Sequence, residues 1–406
     1  MSPRKSTSPA RPRPSGPLAT TVGGVPLSCC IYNASGPKSG HVTDLTNVGA
    51  SAAGAVLSKS ATLVKQTGNP LPRLKKLPTG GDLCDGSINS EGLPNAGIDY
   101  YISDDVLRKV AETGKPYIVS LSGLTLADNL EMLTRVAAAA EKHPGLISAL
   151  ELNLACPNIP GKPTVALDFE QMEDVLKKVC AHKPFAACGV PLGVKLAPYF
   201  DAPHFDAAAA ILNKHKGRLT FVVTMNTIGN CLVVDTETES ALIAPKGGFG
   251  GVAGGFAKHM ATANVKQLRQ RLHDSIDVVG VGGVKSGADA FDLLLCGAAA
   301  VQTATTHWLE GPACFDRIAA ELKALMKAKG YTTLGDFRGK LKPFSKENKP
   351  KFSAKSSSAA PRWTWAHKLL ALVLPLFVLL LQREVKRAMR RTAGVSALAA
   401  GEECDD

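Results

Sequence analysis

The sequence predicts an α/β fold, a (β/α)8 barrel of the TIM type with flanking disordered tails and a C-terminal hydrophobic helix. Three observations lead there. Short apolar or β-branched runs alternate with longer helical stretches from about Thr20 to Phe344. The runs are continuously apolar, as strands of a parallel sheet buried on both faces must be. Seven such repeats are visible and an eighth strand fits "PLSCCIYN" (26–33), a count that favours a closed barrel. The alternative, an open doubly wound sheet, ordinarily carries a nucleotide fingerprint after its first strand, and none is present.

The other strand candidates are "GAVLSK" (54–59), "YIVSLS" (117–122), "ALELN" (149–153), "LGVKL" (192–196), "TFVVTMN" (220–226), "DVVGVGG" (277–283) and "AAAVQTA" (298–304). Helices are expected over 128–143, 168–182, 204–215, 261–272, 287–297 and 313–330. The first two open on an aspartate, Asp128 and Asp168, which can cap the free N–H groups of a first turn.

Outside the barrel the chain changes character. Residues 1–18 are rich in Pro, Ser and Arg, carry four basic residues and no acid, and read as a disordered basic tail. Five prolines there argue against the amphipathic helix of a transit peptide. The barrel is expected over 19–344, followed by a polar linker over 345–362. Segment 363–382 holds a 13-residue apolar run, Leu369–Leu381, and is a candidate membrane anchor. A helix packed on a protein surface is the alternative. Residues 383–406 are basic, then acidic. The net charge of +12 is concentrated in the two tails, so a membrane surface, a nucleic acid or simple solubilisation are the readings of the charge alone. Ten cysteines are scattered with no C-x-x-C pair and no zinc-like spacing, so free thiols in a reducing compartment are expected and no metal site is.

In a barrel the C-terminal ends of the strands face one mouth. The residues falling there are Lys59, Ser122, Asn153 with Cys156, Lys195, Asn226, Gly282, Gly283 and Thr305. A barrel that only packs has no use for two lysines at the ends of apolar strands. Two glycine-rich stretches, "VGVGGVKSG" (279–287) and "KGGFGGVAGG" (246–255), add backbone N–H groups of the kind that cradle a phosphate.

From about Asn33 to Phe344 the chain resembles the dihydroorotate dehydrogenases, specifically the soluble fumarate-linked class (class 1A). The resemblance is carried by "NASG" (33–36), "VLSKS" (56–60), "GNPLPR" (68–73), "SINSEGLPN" (87–95), "ELNLACPNIPGKP" (151–163), "GVKLAPYFD" (193–201), "NTIGN" (226–230), "PKGGFGG" (245–251) and "GVGGVKSGADAF" (280–291). It implies an FMN-binding barrel that oxidises dihydroorotate to orotate in pyrimidine biosynthesis, with fumarate as electron acceptor. It implies that Cys156 is the base removing the C5 proton while a hydride passes from C6 to flavin N5, and that Lys59 touches flavin and substrate. Asn89, Gly92, Leu93, Asn153, Asn158, Asn226 and Thr227 match substrate-holding positions. Ser35, Gly36, Lys59, Ser60, Asn153, Lys195, Gly250, Gly251, Gly282, Gly283, Ala304 and Thr305 match cofactor positions, Lys195 lying near the flavin N1–O2 edge. The resemblance also implies a homodimer. The hydrophobic C-terminal tail lies outside the family's pattern; with its basic flank it adds the expectation of a cytoplasmic catalytic domain tail-anchored to a membrane (the mitochondrial outer membrane a candidate), with no nucleic-acid partner.

Three positions depart from that pattern. Ala155 stands where the family usually has Ser, Ala304 where a Gly commonly approaches the phosphate, and Glu91 where Met is usual. Glu91 matters most, because it sets a carboxylate beside an anionic substrate unless it turns to solvent. The departures motivate an alternative, a catalytically impaired barrel serving as a membrane-tethered binding protein. Another FMN barrel acting on dihydropyrimidines or dihydrouridines is a third reading, weakened by the lack of cluster-binding cysteine runs and of an RNA-binding domain.

Overall fold

The computed structural model describes residues 14–77, 86–155, 164–345 and 382–384. The chain divides into two units, 1–341 and 342–406. The hydrophobic segment 363–382 lies outside the described residues except for Gln382, and no helix among those described is long and apolar enough to cross a membrane.

Eight parallel strands build the barrel: β1 (Ile31–Asn33), β2 (Val56–Leu57), β3 (Tyr117–Leu121), β4 (Ala149–Asn153), β5 (Leu192–Lys195), β6 (Leu219–Thr224), β7 (Asp277–Val281) and β8 (Ala300–Thr303). Their order is β1-β8-β7-β6-β5-β4-β3-β2, so each strand lies beside its predecessor and β8 returns to β1. Each is followed by a helix: α1 (Val42–Gly49), α2 (Asp104–Ala111), α3 (Leu126–Lys142), α4 (Phe169–Cys180), α5 (Ala202–Lys214), α6 (Lys258–Arg269), α7 (Gly287–Leu295) and α8 (Ala313–Ala328). Each helix turns its apolar stripe onto the strands, as α4 does with Met172, Val175, Leu176 and Val179, all buried.

The ladder is interrupted at one seam, between β1 and β2. A side chain closes it. Asn33 Nδ2 donates to the Leu57 carbonyl at 2.7 Å, and Asn33 Oδ1 accepts from the Leu57 N–H at 2.9 Å. One amide thus supplies the donor and acceptor that a facing strand would offer. The Gly54 N–H reaches the Ile31 carbonyl at 2.8 Å on the same seam.

Several boundaries differ from the sequence reading for local reasons. The first strand is Ile31–Asn33 rather than all of 26–33, because Val25–Leu27 pairs with Thr20–Val22 in an antiparallel hairpin. That hairpin sits at the strands' N-terminal ends, where the Gly23 N–H meets Asp277 and Thr20 Oγ1 meets the Ala299 carbonyl, both at 2.9 Å. Packing begins earlier than expected, since Leu18, placed in the disordered tail, is 2% exposed. Helix α3 begins at Leu126 on a Thr125 cap; Asp128, the third residue of the first turn, accepts from the Thr125 N–H while its own N–H donates to Thr125 Oγ1, a reciprocal capping box. Asp168 does cap α4, accepting from the Gln171 N–H at 3.1 Å. Helices α5 and α6 begin earlier than expected, α5 on an Asp201 cap.

A feature with no counterpart in the sequence reading is a four-stranded antiparallel sheet, ordered Ile228–Leu232, Phe249–Gly254, Gly86–Asn89, Leu74–Lys76. Its strands come from two segments inserted after β2 and β6, and its own small core is Leu77, Ile88, Ile243 and Val252. Both insertions leave from C-terminal strand ends, so the sheet belongs to the mouth.

The seam carries a prediction. Asn33→Ala leaves the buried Leu57 N–H and carbonyl without these partners, and a loss of about 2–4 kcal/mol in urea unfolding is expected. A loss under about 1 kcal/mol would mean that Asn33 does not hold the seam.

Candidate active site

The apolar runs that bury the strands give way to polar residues at most of their C-terminal ends. Asn33 closes the seam and so brings the segments leaving β1 and β2 together. Ser35 and Ser60, one on each, share a hydrogen bond at 3.0 Å, and the Ser60 N–H donates to Ser35 Oγ at 2.7 Å. Ser60 Oγ also pairs with Ser120 Oγ of β3 at 2.9 Å, which extends the polar chain. Asn153 ends β4 beside Lys195, which ends β5, in register.

Two adjoining clefts open here, of about 850 and 1080 Å3 with the solvent-open part included. Ser35, Gly36, Lys59, Ser60, Asn89, Leu93, Asn153, Lys195, Asn226, Thr227, Gly251, Ala304 and Thr305 line the first. The second shares Ser35, Lys195, Asn226, Thr227, Ala304 and Thr305 and adds Gly282 and Gly283. Gly92 and Gly250 flank lining residues without lining either cleft. Ser122 is buried but lines neither. Cys156 and Asn158 lie outside the described residues, which stop at Ala155 and resume at Thr164.

Gly250 and Gly251 sit in the antiparallel sheet, not in a loop. A side-chain carbon on Gly251 would lie 2.3 Å from Thr227 Oγ1, so glycine lets that strand close on the cleft wall. Gly282 and Gly283 do form a turn after β7. Gly283 has φ +70°, and a Cβ there would lie 2.6 Å from the Lys258 backbone nitrogen. Lys258 itself is held by Asp289 and Asp292 of α7, each at 2.7 Å. Ala304 has φ −118°, a conformation that any residue adopts, so its methyl group causes no backbone strain. Ala155 is buried; its carbonyl accepts from Asn226 Nδ2 at 2.8 Å, and its N–H donates to Asn153 Oδ1 at 3.1 Å. Asn226 therefore pins the last described residue before Cys156.

Both lysines are buried; Lys59 makes an ion pair with a carboxylate, and Lys195 feels the charge of one nearby. Glu91 does not turn to solvent. Its Oε2 lies 2.7 Å from Lys59 Nζ, with the two side chains 16% and 9% exposed. Lys195 stands one layer above Glu151, whose register partner is Gly193. Burial pushes Lys195 below the usual lysine range; the Glu151 charge opposes that shift and Lys59 adds to it. Burial likewise raises Glu151, against the pull of Lys195 and of Gln302. Gln302 Nε2, on β8, donates across the barrel to Glu151 Oε2 at 2.9 Å and to Tyr32 Oη at 3.2 Å.

Sequence reasoning missed the pairing of Lys59 with Glu91, and the Glu151–Gln302–Tyr32 cluster. A glutamate inside the apolar run "ALELN" was a readable signal for the second. It also missed Leu74, Ser87, Trp308, Lys76 and Lys285, which line the clefts from the antiparallel sheet and the βα loops.

A family profile described as "Dihydroorotate dehydrogenase" matches residues 17–326. The chain is 46% identical over 327 residues to "Dihydroorotate dehydrogenase A (fumarate)" of Lactococcus lactis subsp. cremoris, covering 80% of this chain and 99% of that one. It is 46% identical over 312 residues to "Dihydroorotate dehydrogenase (fumarate)" of Saccharomyces cerevisiae, covering 77% and 94%. A solved structure of ligand-free DHODH from Eimeria tenella superposes with a TM-score of 0.66 at 20% identity, covering 84% of this chain and 96% of that one, a likeness of fold.

The ion pair generates a prediction. Lys59→Met strands a largely buried Glu91, and a loss of about 2–4 kcal/mol in urea unfolding is expected. Adding Glu91→Gln should restore at least half of it. Additive losses would show that the two side chains do not depend on each other.

Proposed function

This chain belongs to the dihydroorotate dehydrogenase family, and from that membership we propose how its mouth works. It is an enzyme that oxidises dihydroorotate to orotate, a step of pyrimidine biosynthesis, with fumarate as the electron acceptor. The observation that carries the reading is the convergence of Lys59, Asn89, Asn153, Lys195, Asn226 and Thr227 on one cleft.

The cofactor in this reading is FMN, which supplies, when bound, a hydride acceptor at its N5. Its fit is supported by the two adjoining clefts, one glycine-walled and one lined by two buried cations. Gly282, Gly283 and Thr305 would hold the phosphate, because a tight glycine turn and the opening of the short helix Thr305–Glu310 both present backbone N–H groups. Ser35, Gly36, Ser60 and Asn153 would hold the ring, and Lys195 would balance negative charge at its N1–O2 edge.

Substrate is held by Asn89, Asn153, Asn158, Asn226 and Thr227, with Lys59 reaching both substrate and cofactor. Amide groups suit a ring that presents N–H and C=O groups together, because each amide offers a donor and an acceptor. Cys156 is the base. As a thiolate it takes the C5 proton at Sγ; the hydride leaves C6, and the C5=C6 bond forms. Asn226 positions the base by fixing the Ala155 carbonyl one residue before it.

Cys156→Ala should keep bound FMN yet slow flavin reduction by dihydroorotate at least ~100-fold in stopped flow. An unchanged reduction rate would remove the base assignment.

A further inference from the structure

Among the described residues, Glu91 is the one carboxylate lining the first cleft. Its backbone is fixed. The Glu91 carbonyl accepts from the Asn69 N–H at 2.8 Å, and Asn69 Nδ2 donates to the Ser90 carbonyl, also at 2.8 Å. On the other side the chain turns through two left-handed residues, Gly92 at φ +69° and Leu93 at φ +55°, and Asn95 Nδ2 holds the Leu93 carbonyl at 2.7 Å. Lys59 is anchored as firmly, its N–H donating to the Ser39 carbonyl at 2.8 Å. What can move is the Glu91 side chain, by rotation about its own bonds.

The pair is therefore a built contact between fixed backbones. It neutralises a lysine in the pocket that must receive the carboxylate of dihydroorotate or orotate. Lys59 can offer its charge to only one close partner at full strength, and two carboxylates around one ammonium repel each other. Resting on the substrate assignment above, we propose that Glu91 is an internal stand-in for the substrate carboxylate. It holds Lys59 until an anionic pyrimidine displaces it, and so it sets the pocket's affinity for carboxylated over uncharged ligands. Glu91 acts through Lys59 and is a positioning residue. Because orotate is as anionic as dihydroorotate, the same competition weakens retention of product.

The test compares two ligands that differ by the carboxylate alone, orotate and uracil. Their binding to the FMN-loaded wild type, Glu91→Gln and Glu91→Met proteins is measured by titration calorimetry. The expected result is that both variants bind orotate about tenfold more tightly or better, while uracil affinity changes less than about twofold. KM for dihydroorotate should fall by more than kcat changes. Two variants guard against a folding failure in one, and retained flavin absorbance reports an intact pocket. Equal changes for both ligands, or no change for orotate, overturn the proposal. If FMN-loaded wild type takes up no orotate at all, the substrate assignment falls, and the stand-in role falls with it.

Discussion

The barrel depends on an amide. A parallel sheet must close on itself or leave an edge, and here the last gap, between β1 and β2, is bridged by Asn33 presenting both halves of its side chain to Leu57. The consequence is positional. The segment after β1 carries Ser35 and Gly36, and the segment after β2 carries Lys59 and Ser60. Closing the seam brings these four residues to one wall of the mouth, where the Ser35–Ser60–Ser120 chain then locks them. A fold made of very short strands (β2 has two residues) depends more on such side-chain fasteners than one with long ladders.

Electrostatics set the second constraint. Burying two ammonium groups in one mouth is costly unless each finds an anion. The chain provides Glu91 at the surface of the pocket and Glu151 beneath it, the latter braced across the barrel by Gln302. The two glutamates differ in kind. Glu151 is fully buried in the barrel interior, where it acts on Lys195 only through space. Glu91 lines the pocket itself and touches Lys59, so Lys59 is the cation whose partner can change.

The repeat of apolar run and helix was enough to read the eight strands and the barrel they form, because a strand buried on both faces leaves an uninterrupted apolar signature. Strand ends were legible too: Lys59, Asn153, Lys195 and Asn226 were placed at one mouth by position alone, and they do share a cleft. The antiparallel sheet escaped notice because its strands do not look like strands. Leu74–Lys76 is three residues long, and "FGGVAG" resembles a phosphate loop until its pairing with Gly86–Asn89 is seen. The Thr125 cap was hidden by Asp128, since both residues belong to one capping box and only geometry decides which is first. The orientation of Glu91 was beyond sequence pattern. Solvent and Lys59 were both within reach of a glutamate, and the loop that carries it is fixed by Asn69 and Asn95, whose backbone contacts no spacing of residues reveals. The stretch with Cys156, the most informative in the sequence, lies outside the described residues, so its role rests on family membership and on the pinning of Ala155.

Fold, cleft and family agree on a barrel whose mouth oxidises dihydroorotate. The most direct test is the anaerobic flavin absorbance of the full-length protein mixed first with dihydroorotate and then with fumarate. The expected result is a flavin spectrum that bleaches on the first addition and recovers on the second. A colourless protein, or a flavin that dihydroorotate leaves oxidised, would contradict it.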